Sequence, residues 1–292
     1  MDEKESIRNE FAALSIAAGV APGYADNYFD LVFEISTGLA SRSDKLLVVG
    51  ISGAQGTGKS TFSRMLAIAL ERGFEKTTLV VSLDDFYLTR AQREQLARDV
   101  HPLLQVRGVP GTHDVAMLAS VIADLKAGRN TEVPVFDKAS DDRRGMVPVM
   151  GAELDVLIVE GWCFGALPEQ AADLAKPVNA LESGQDPNGE WRTYVNRQLA
   201  EGGYQAVFES ADVCFFLAAP DMETVIKWRW QQERELAQRS IGKAVMDEQQ
   251  VRDFVMYYQR ITLRMLRDMP RRATLTLYLD DRHQVRRPPR NS

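Results

Sequence analysis

Cysteine is nearly absent from this 292-residue sequence: two occur, Cys163 and Cys214, both inside apolar stretches. Two such thiols make neither a disulfide framework nor a zinc spacing, and they suit a reducing compartment. Histidine is as scarce, and His101, His113 and His283 lie too far along the chain from the cysteines to suggest a metal cluster. No apolar run approaches the ~18 residues that a membrane helix needs. The strongest runs, 155–160 and 213–219, have the length of strands. A basic excess is lacking too. Lys+Arg number 35 against 41 Asp+Glu, a net charge of −6, whereas nucleic-acid binders usually show the opposite sign. The opening Met1-Asp2-Glu3-Lys4-Glu5 is acidic and lacks an apolar core segment, so it reads as neither signal nor transit peptide. These absences together lead us to expect a cytoplasmic protein with no membrane and no nucleic-acid partner.

What is present is ordinary globular usage, 45% hydrophobic and 26% charged, which argues against disorder. At about 150 residues per domain, the length suits two domains or one large α/β domain. No internal repeat or low-complexity segment interrupts it. The first 43 or so residues read as helices, with an apolar pattern through Phe11, Leu14 and Ile16 and another through Tyr28, Leu31, Val32 and Ile35. Gly19 and Gly23 punctuate the two. Strand signals then alternate with helical ones. The spans 46–52, 78–83, 155–160, 212–218 and 274–279 are nearly continuous in apolar residues, as strands buried on both faces are. The pattern predicts a doubly wound parallel sheet of about five strands with helices on both faces. We divide the chain into a helical extension, 1–44, and a catalytic domain, 45–292.

Two helices carry end signals. Asp114 is placed to cap a helix with Val115, Leu118, Ile122 and Leu125 inward and Gly128 at its exit. Asp247 with Gln250 forms a capping box, stapled by Met246 and Val251. That helix would bury Phe254, Val255, Tyr258, Ile261 and Met265 and stop before Pro270. Between Gly128 and Asp155 the chain reads as a loop, with Pro134, Gly145 and Pro148 around a charged cluster.

The chemistry begins at Gly53-Ala54-Gln55-Gly56-Thr57-Gly58-Lys59-Ser60, followed by Thr61, which matches G-x-x-x-x-G-K-[ST]. A strand signal precedes it, and a helix with Phe62, Met65, Leu66 and Leu70 follows. The glycines let backbone N–H groups converge on phosphate oxygens, and the helix N-terminus adds partial positive charge. Lys59 would reach the β- and γ-phosphates, and the Ser60 hydroxyl would ligate Mg²⁺. The competing reading, a glycine-rich turn with no ligand, leaves the lysine and hydroxyl without purpose.

In a doubly wound sheet ligands bind beyond the carboxyl ends of the strands. Two more strands end there in acids: Ser82-Leu83-Asp84-Asp85-Phe86-Tyr87 and Val159-Glu160-Gly161-Trp162. Glu160 is placed like a Walker B acid, able to hold Mg²⁺ or its water. Asp84 or Asp85 could take a hydroxyl proton, unless the pair merely caps the turn before Thr89 and Gln92. A GTPase is excluded. Asp142-Arg143-Arg144-Gly145 fits D-x-x-G but lies away from a strand end, and no N-K-x-D motif exists.

With these residues and Ser82–Thr89 as Ser-Leu-Asp-Asp-Phe-Tyr-Leu-Thr, the chain resembles the phosphoribulokinase, uridine kinase and pantothenate kinase group of P-loop kinases. Within it, the chain is most similar to the glycerate kinases of plant and cyanobacterial type. The selective matches are Arg107-Gly108-x-x-Gly111-Thr112-His113-Asp114, Val133-Pro134-x-Phe136-x-Lys138 and Glu160-Gly161-Trp162. They continue with Trp228-Arg229-x-Gln231-x-Glu233 and Glu248-x-x-Val251-Arg252-Asp253-Phe254. The resemblance implies strand order 2-3-1-4-5, ATP with Mg²⁺ as donor, and D-glycerate phosphorylated on its terminal hydroxyl. It places Asp84 as the catalytic base and a helical lid at 221–243, with Arg229, Arg234, Arg239 and Lys243. Around Phe136–Arg144, the stretch implied to line the acceptor site, the spacing departs slightly from the plant pattern.

An acceptor carboxylate calls for a basic fork, for which Arg107, Lys138, Arg143 and Arg144 are the candidates, against the alternative of a solvated loop face. Asp85 and Tyr87 are assigned to the same acceptor side. His113 would donate to an acceptor hydroxyl or brace its turn, with Asp114 read as the cap. In the lid, Arg229 and Arg234 would meet transferring phosphate oxygens. Trp162 and Trp228 read as packing, Glu223–Lys227 as a solvated helix face, and Arg286-Arg287-Pro288-Pro289-Arg290 as a basic tail. The expected activity is a small-molecule kinase. Its alternatives are the same chemistry on a nucleoside, pantothenate or sugar acid, and a regulatory ATPase with no phosphoryl acceptor.

Overall fold

The computed structural model describes residues 3–18, 23–239 and 246–286. Helices α1 (Glu3–Ala18) and α2 (Tyr24–Ala40) come first, then β1 (Leu47–Gly53), α3 (Lys59–Phe74) and β2 (Thr78–Ser82). After α4 (Arg90–Asp99) and α5 (Val115–Lys126) an antiparallel pair follows, β3 (Thr131–Asp137) and β4 (Asp142–Val149). Strand β5 (Val156–Gly161) leads to α6 (Ala171–Leu174), α7 (Ala180–Gln185), α8 (Glu190–Glu201) and α9 (Tyr204–Glu209). The last elements are β6 (Val213–Ala218), α10 (Met222–Arg239), α11 (Glu248–Asp268), β7 (Leu275–Leu279) and β8 (Val285–Arg286). Among the described residues no helix is long and apolar enough to cross a membrane.

The main sheet runs β2-β5-β1-β6-β7-β8. Its five parallel strands, numbered among themselves along the chain, stand in the expected order 2-3-1-4-5. The strand count needs correction to six, because β8 pairs antiparallel with β7 at the edge. Two residues after a tight turn carry no apolar run that could announce a strand.

Alternation across the pleat explains the continuous apolar runs. Leu47, Val49 and Ile51 of β1 enter the core shared with α1, α2 and α3, while Leu46 and Val48 enter the one beneath α5 and α9. Ile7, Phe11, Tyr28, Phe29 and Val32 from the two leading helices join the first core. Ile16, expected inward, is instead 75% exposed. It lies roughly 140° around the helix from Phe11, at 100° per residue. The span expected as a loop between Gly128 and Asp155 is largely the β3–β4 hairpin. Pro134 and Pro148 stand opposite Met146 and Glu132. In a two-stranded sheet each strand is an edge, where a proline breaks no central ladder, so its usual turn signal misleads.

Both expected caps form. Asp114 accepts from the Met117 N–H at 3.1 Å, and Asp247 and Gln250 make the reciprocal box that starts α11. Val251, Val255, Tyr258 and Met265 are buried on α11, whereas Phe254 and Ile261 are only partly so. Beside them Arg260 donates to Glu182 at 2.8 and 2.6 Å and to Glu169 at 2.8 Å, with Glu182 fully buried. Glu182→Ala takes two charge-assisted bonds from that guanidinium, leaving it Glu169 and the carbonyls of Asp173 and Lys176, and should cost about 3 kcal/mol. A urea titration should show a lower midpoint at unchanged slope. An unmoved midpoint would mean that Glu169 alone neutralises Arg260.

Candidate active site

The phosphate loop joins β1 to α3, and Gly56 and Gly58 take φ of +81° and +83°, where a side chain is strained. Space forbids one as well: a Cβ at Gly56 would come within 2.6 Å of the Trp228 Cβ. The Thr57 hydroxyl donates to the Ala54 carbonyl at 2.8 Å and closes the loop on itself. Distant segments brace its back. The His283 Nε2 lies 2.7 Å from the Gly56 carbonyl, and the His283 ring stacks on Trp228 with centroids 4.1 Å apart. The Tyr28 hydroxyl of α2 donates to the His283 carbonyl at 3.0 Å.

Lys59 and Ser60 open α3 and line a cleft of about 820 Å³, together with Gln55, Gly56, Gly58 and Thr61. Gly53, Ala54 and Thr57 lie behind that surface. The parallel register sets Glu160 beside Ile51 of β1 and Ser82 of β2. Its Oε1 accepts from the Ser60 hydroxyl at 2.8 Å, while its Oε2 is buried with no hydrogen-bond partner among the described residues. A buried carboxylate oxygen lacking a donor, next to a hydroxyl, is a donor set for a hard oxygen-seeking cation. Ser60 and Glu160 therefore fit Mg²⁺.

Across the cleft, a short 3-10 turn after β2, Leu83–Phe86, presents Asp84. Its Oδ1 accepts from the Tyr87 hydroxyl at 2.6 Å and its Oδ2 from the Lys138 ammonium at 2.7 Å. Burial pushes the Asp84 carboxyl up, but Lys138 and Lys59, aided by the hydrogen bonds from Lys138 and Tyr87, outweigh it and hold the group below the usual carboxylate range. Asp85 points elsewhere. Its Oδ1 accepts from the Phe136 N–H of β3 at 3.4 Å, and burial raises its carboxyl.

The cleft unites Lys59, Asp84 with Tyr87, Arg107, Lys138 and Arg229 from five separated stretches of chain. Arg229 pairs with Glu233 one turn on and lies 5.5 Å from the centroid of the Phe254 ring. Other candidates stand outside it. His113 is buried between Tyr87, stacked at 4.7 Å, and the Tyr204 hydroxyl, 2.8 Å from Nδ1. Burial pushes the His113 imidazole down to about 4, so it is neutral at pH 7. Arg143 donates to the Tyr87 carbonyl at 2.9 Å and to Asp114 at 3.0 Å. Arg144 is exposed on β4, and Arg234 is exposed on α10. Lys243 and the side chain of Arg239 lie outside the described residues.

Other lining residues escape a reading of the sequence. Arg93 is the buried residue of α4, and it donates to the carbonyls of Leu88, Gln105 and Asp141. It also meets the Asp141 carboxylate at 2.9 Å, and Arg107 pairs with that same carboxylate. Tyr258 of α11 donates to the Arg107 carbonyl at 3.1 Å. A helix as polar as α4 gives no hint that its arginine faces inward. Trp162, read as packing, is buried and donates to the Gly108 carbonyl at 2.7 Å, yet one edge reaches the cleft.

The chain is similar to known proteins. The model of the phosphoribulokinase/uridine kinase family matches residues 48–227. An uncharacterized kinase of Schizosaccharomyces pombe, mug58, is 36% identical over 222 residues, or 72% of this chain and 78% of that one. The chloroplastic D-glycerate 3-kinase of Arabidopsis thaliana is 34% identical over 228 residues, which are 73% of this chain but 46% of that enzyme's length. The structure of D-glycerate 3-kinase from Cryptococcus neoformans superposes with a TM-score of 0.73 at 24% identity, covering 88% of this chain and 96% of that one, a likeness of fold. This protein is a P-loop kinase and belongs to the phosphoribulokinase/uridine kinase family.

Proposed function

We propose that the protein transfers the γ-phosphate of ATP to a hydroxyl of a small hydroxy acid, with D-glycerate as acceptor and 3-phosphoglycerate as product. The observation that carries this reading is a cleft lined by Lys138 on Asp84 and by Arg93 and Arg107 on Asp141, together with Lys59 and Ser60 of the phosphate loop. Guanidinium and ammonium groups recognise a carboxylate, and the base stands where the acceptor's hydroxyl would lie. The similarity to an Arabidopsis D-glycerate 3-kinase supports the same choice.

The phosphate loop's N–H groups and Lys59 would hold the β- and γ-phosphates, with Ser60 and Glu160 holding Mg²⁺. When bound, Mg²⁺ neutralises charge on the phosphate oxygens. The acceptor oxygen attacks the γ-phosphorus, its proton passes to Asp84, and the bond to the β-γ bridging oxygen breaks to release ADP. Arg229 balances charge on the transferring group, and closure of α10 would exclude water. Asp85, His113 and Arg143 act behind this layer, by holding the turn and hairpin that carry Asp84 and Lys138.

An ADP-release screen tests the reading. D-Glycerate should drive ADP formation in a panel that includes other hydroxy acids, nucleosides, pantothenate and sugar acids. ADP with another panel member alone would replace the acceptor. Hydrolysis indifferent to every acceptor would favour a regulatory ATPase.

A further inference from the structure

Both oxygens of Asp84 are engaged in the free enzyme, Oδ1 by Tyr87 and Oδ2 by Lys138. Each oxygen keeps a second lone pair, but an ammonium on one and a phenol on the other make the carboxylate a poor base for an incoming hydroxyl. Its basicity returns only if one of the two partners yields. Tyr87 cannot do so cheaply: it is 4% exposed, wedged between the His113 ring and Phe136. The Lys138 side chain, by contrast, is 63% exposed and enters from the turn of the β3–β4 hairpin.

That turn is held at its base. Asp137 accepts from the Ala139 N–H at 3.0 Å and from the Ser140 hydroxyl at 2.9 Å, and Asp141 is tied to Arg93 and Arg107. The backbone therefore stays in place while the lysine stem can swing. Arg93 and Arg107 already share the carboxylate of Asp141, so Lys138 is the acceptor-side cation whose partner is the base itself. An anionic acceptor offers Lys138 a second carboxylate in exchange.

We infer that Lys138 caps Asp84 until the acceptor's carboxylate draws the ammonium away, so that the charge that identifies the acceptor also frees the base. This rests on the assignment of Asp84 as base and of a hydroxy acid as acceptor. It makes Lys138 a specificity-determining residue in a particular sense. A neutral alcohol of the same shape can enter the cleft, but it leaves Asp84 capped and is transferred slowly. Water is disfavoured likewise: without an anion present, Asp84 is a poor base for water attacking the γ-phosphorus, and hydrolysis of ATP to ADP and phosphate stays slow. The depressed Asp84 carboxyl agrees with a base that is held ionised but blocked.

The test uses Lys138→Met, a change at an exposed position, with Lys138→Arg and the double variant Lys138→Met/Asp84→Asn alongside. Lys138→Met should raise ATP hydrolysis measured with no acceptor by roughly tenfold, as general-base help becomes available. It should raise KM for D-glycerate roughly 10–100-fold by loss of a charge-assisted contact, and shrink the preference for D-glycerate over glycerol. Lys138→Arg should keep the preference, and the double variant should lose the extra hydrolysis, since that leak passes through Asp84. Hydrolysis in Lys138→Met at or below the parent's level would overturn the inference, as would extra hydrolysis that survives Asp84→Asn. The hydrolysis arm needs no acceptor. If it succeeds while D-glycerate is inert in the parent enzyme, the capping stands and the acceptor assignment fails.

Discussion

Lys59→Ala is expected to remove phosphoryl transfer while leaving the unfolding temperature close to that of the parent. Lys59 is the first residue of α3, and its side chain lines the cleft and not the core. Truncation therefore opens no cavity. Loss of a single charged donor at the transferring group costs roughly 10²–10³ in kcat, and more where that donor also positions the nucleotide. A second consequence follows from electrostatics. Lys59 is one of the two lysines that hold the Asp84 carboxyl down. Without it that carboxyl moves up toward burial's preference, so residual activity should fall off as pH drops at a higher pH than in the parent. Parallel measurement of kcat across pH and of thermal unfolding checks both halves. A normal kcat, or a cooperative loss of structure, would remove Lys59 from the role given to it.

Asp84→Asn should lower kcat by roughly 10²–10⁴, because the amide is nearly isosteric but takes no proton. Nucleotide affinity should change little, since the loop, Lys59 and Ser60 supply that binding. Asp85→Asn should be milder. Its carboxylate faces the Phe136 N–H and lies outside the cleft lining, so its loss loosens the contact between the turn and β3 without touching the acceptor. Side-by-side kcat and ATP affinity for the two variants decide the matter. The reverse order of losses would move the base to Asp85. Equal and small losses would leave transfer to positioning and electrostatics alone.

The parts of the site legible in the sequence are those built from neighbours along the chain. Lys59 and Ser60 follow from a strand, a glycine loop and a helix in succession, and Glu160 and Asp84 from acids at strand ends. The strand order needed the resemblance to known kinases, since apolar runs locate strands but not their neighbours. What stayed hidden depends on the hairpin folding back over the turn after β2. That fold brings Lys138 onto Asp84, 54 residues away, and the Asp141 carbonyl onto Arg93, 48 residues away. Pro134 and Pro148 disguised the hairpin as a loop, and α4 disguised Arg93 as one more charge on a polar helix. Arg143 carries the right chemistry for an acceptor carboxylate, yet it bonds the Tyr87 carbonyl and Asp114, a choice made by register and invisible in composition.

The brace behind the phosphate loop has a consequence for how the protein is made. The Gly56 carbonyl pairs with His283, 227 residues further along, and the same histidine's carbonyl receives the Tyr28 hydroxyl from 255 residues upstream. At synthesis rates of about 5–20 residues per second, the ribosome takes roughly 11–45 s to travel from the loop to the residue that supports it. The early helices and first strands can gather during that interval through their own apolar contacts. The nucleotide cradle cannot be complete until the turn carrying His283 has emerged, so the emerging chain reaches its ATP-binding form long after the phosphate loop itself is made.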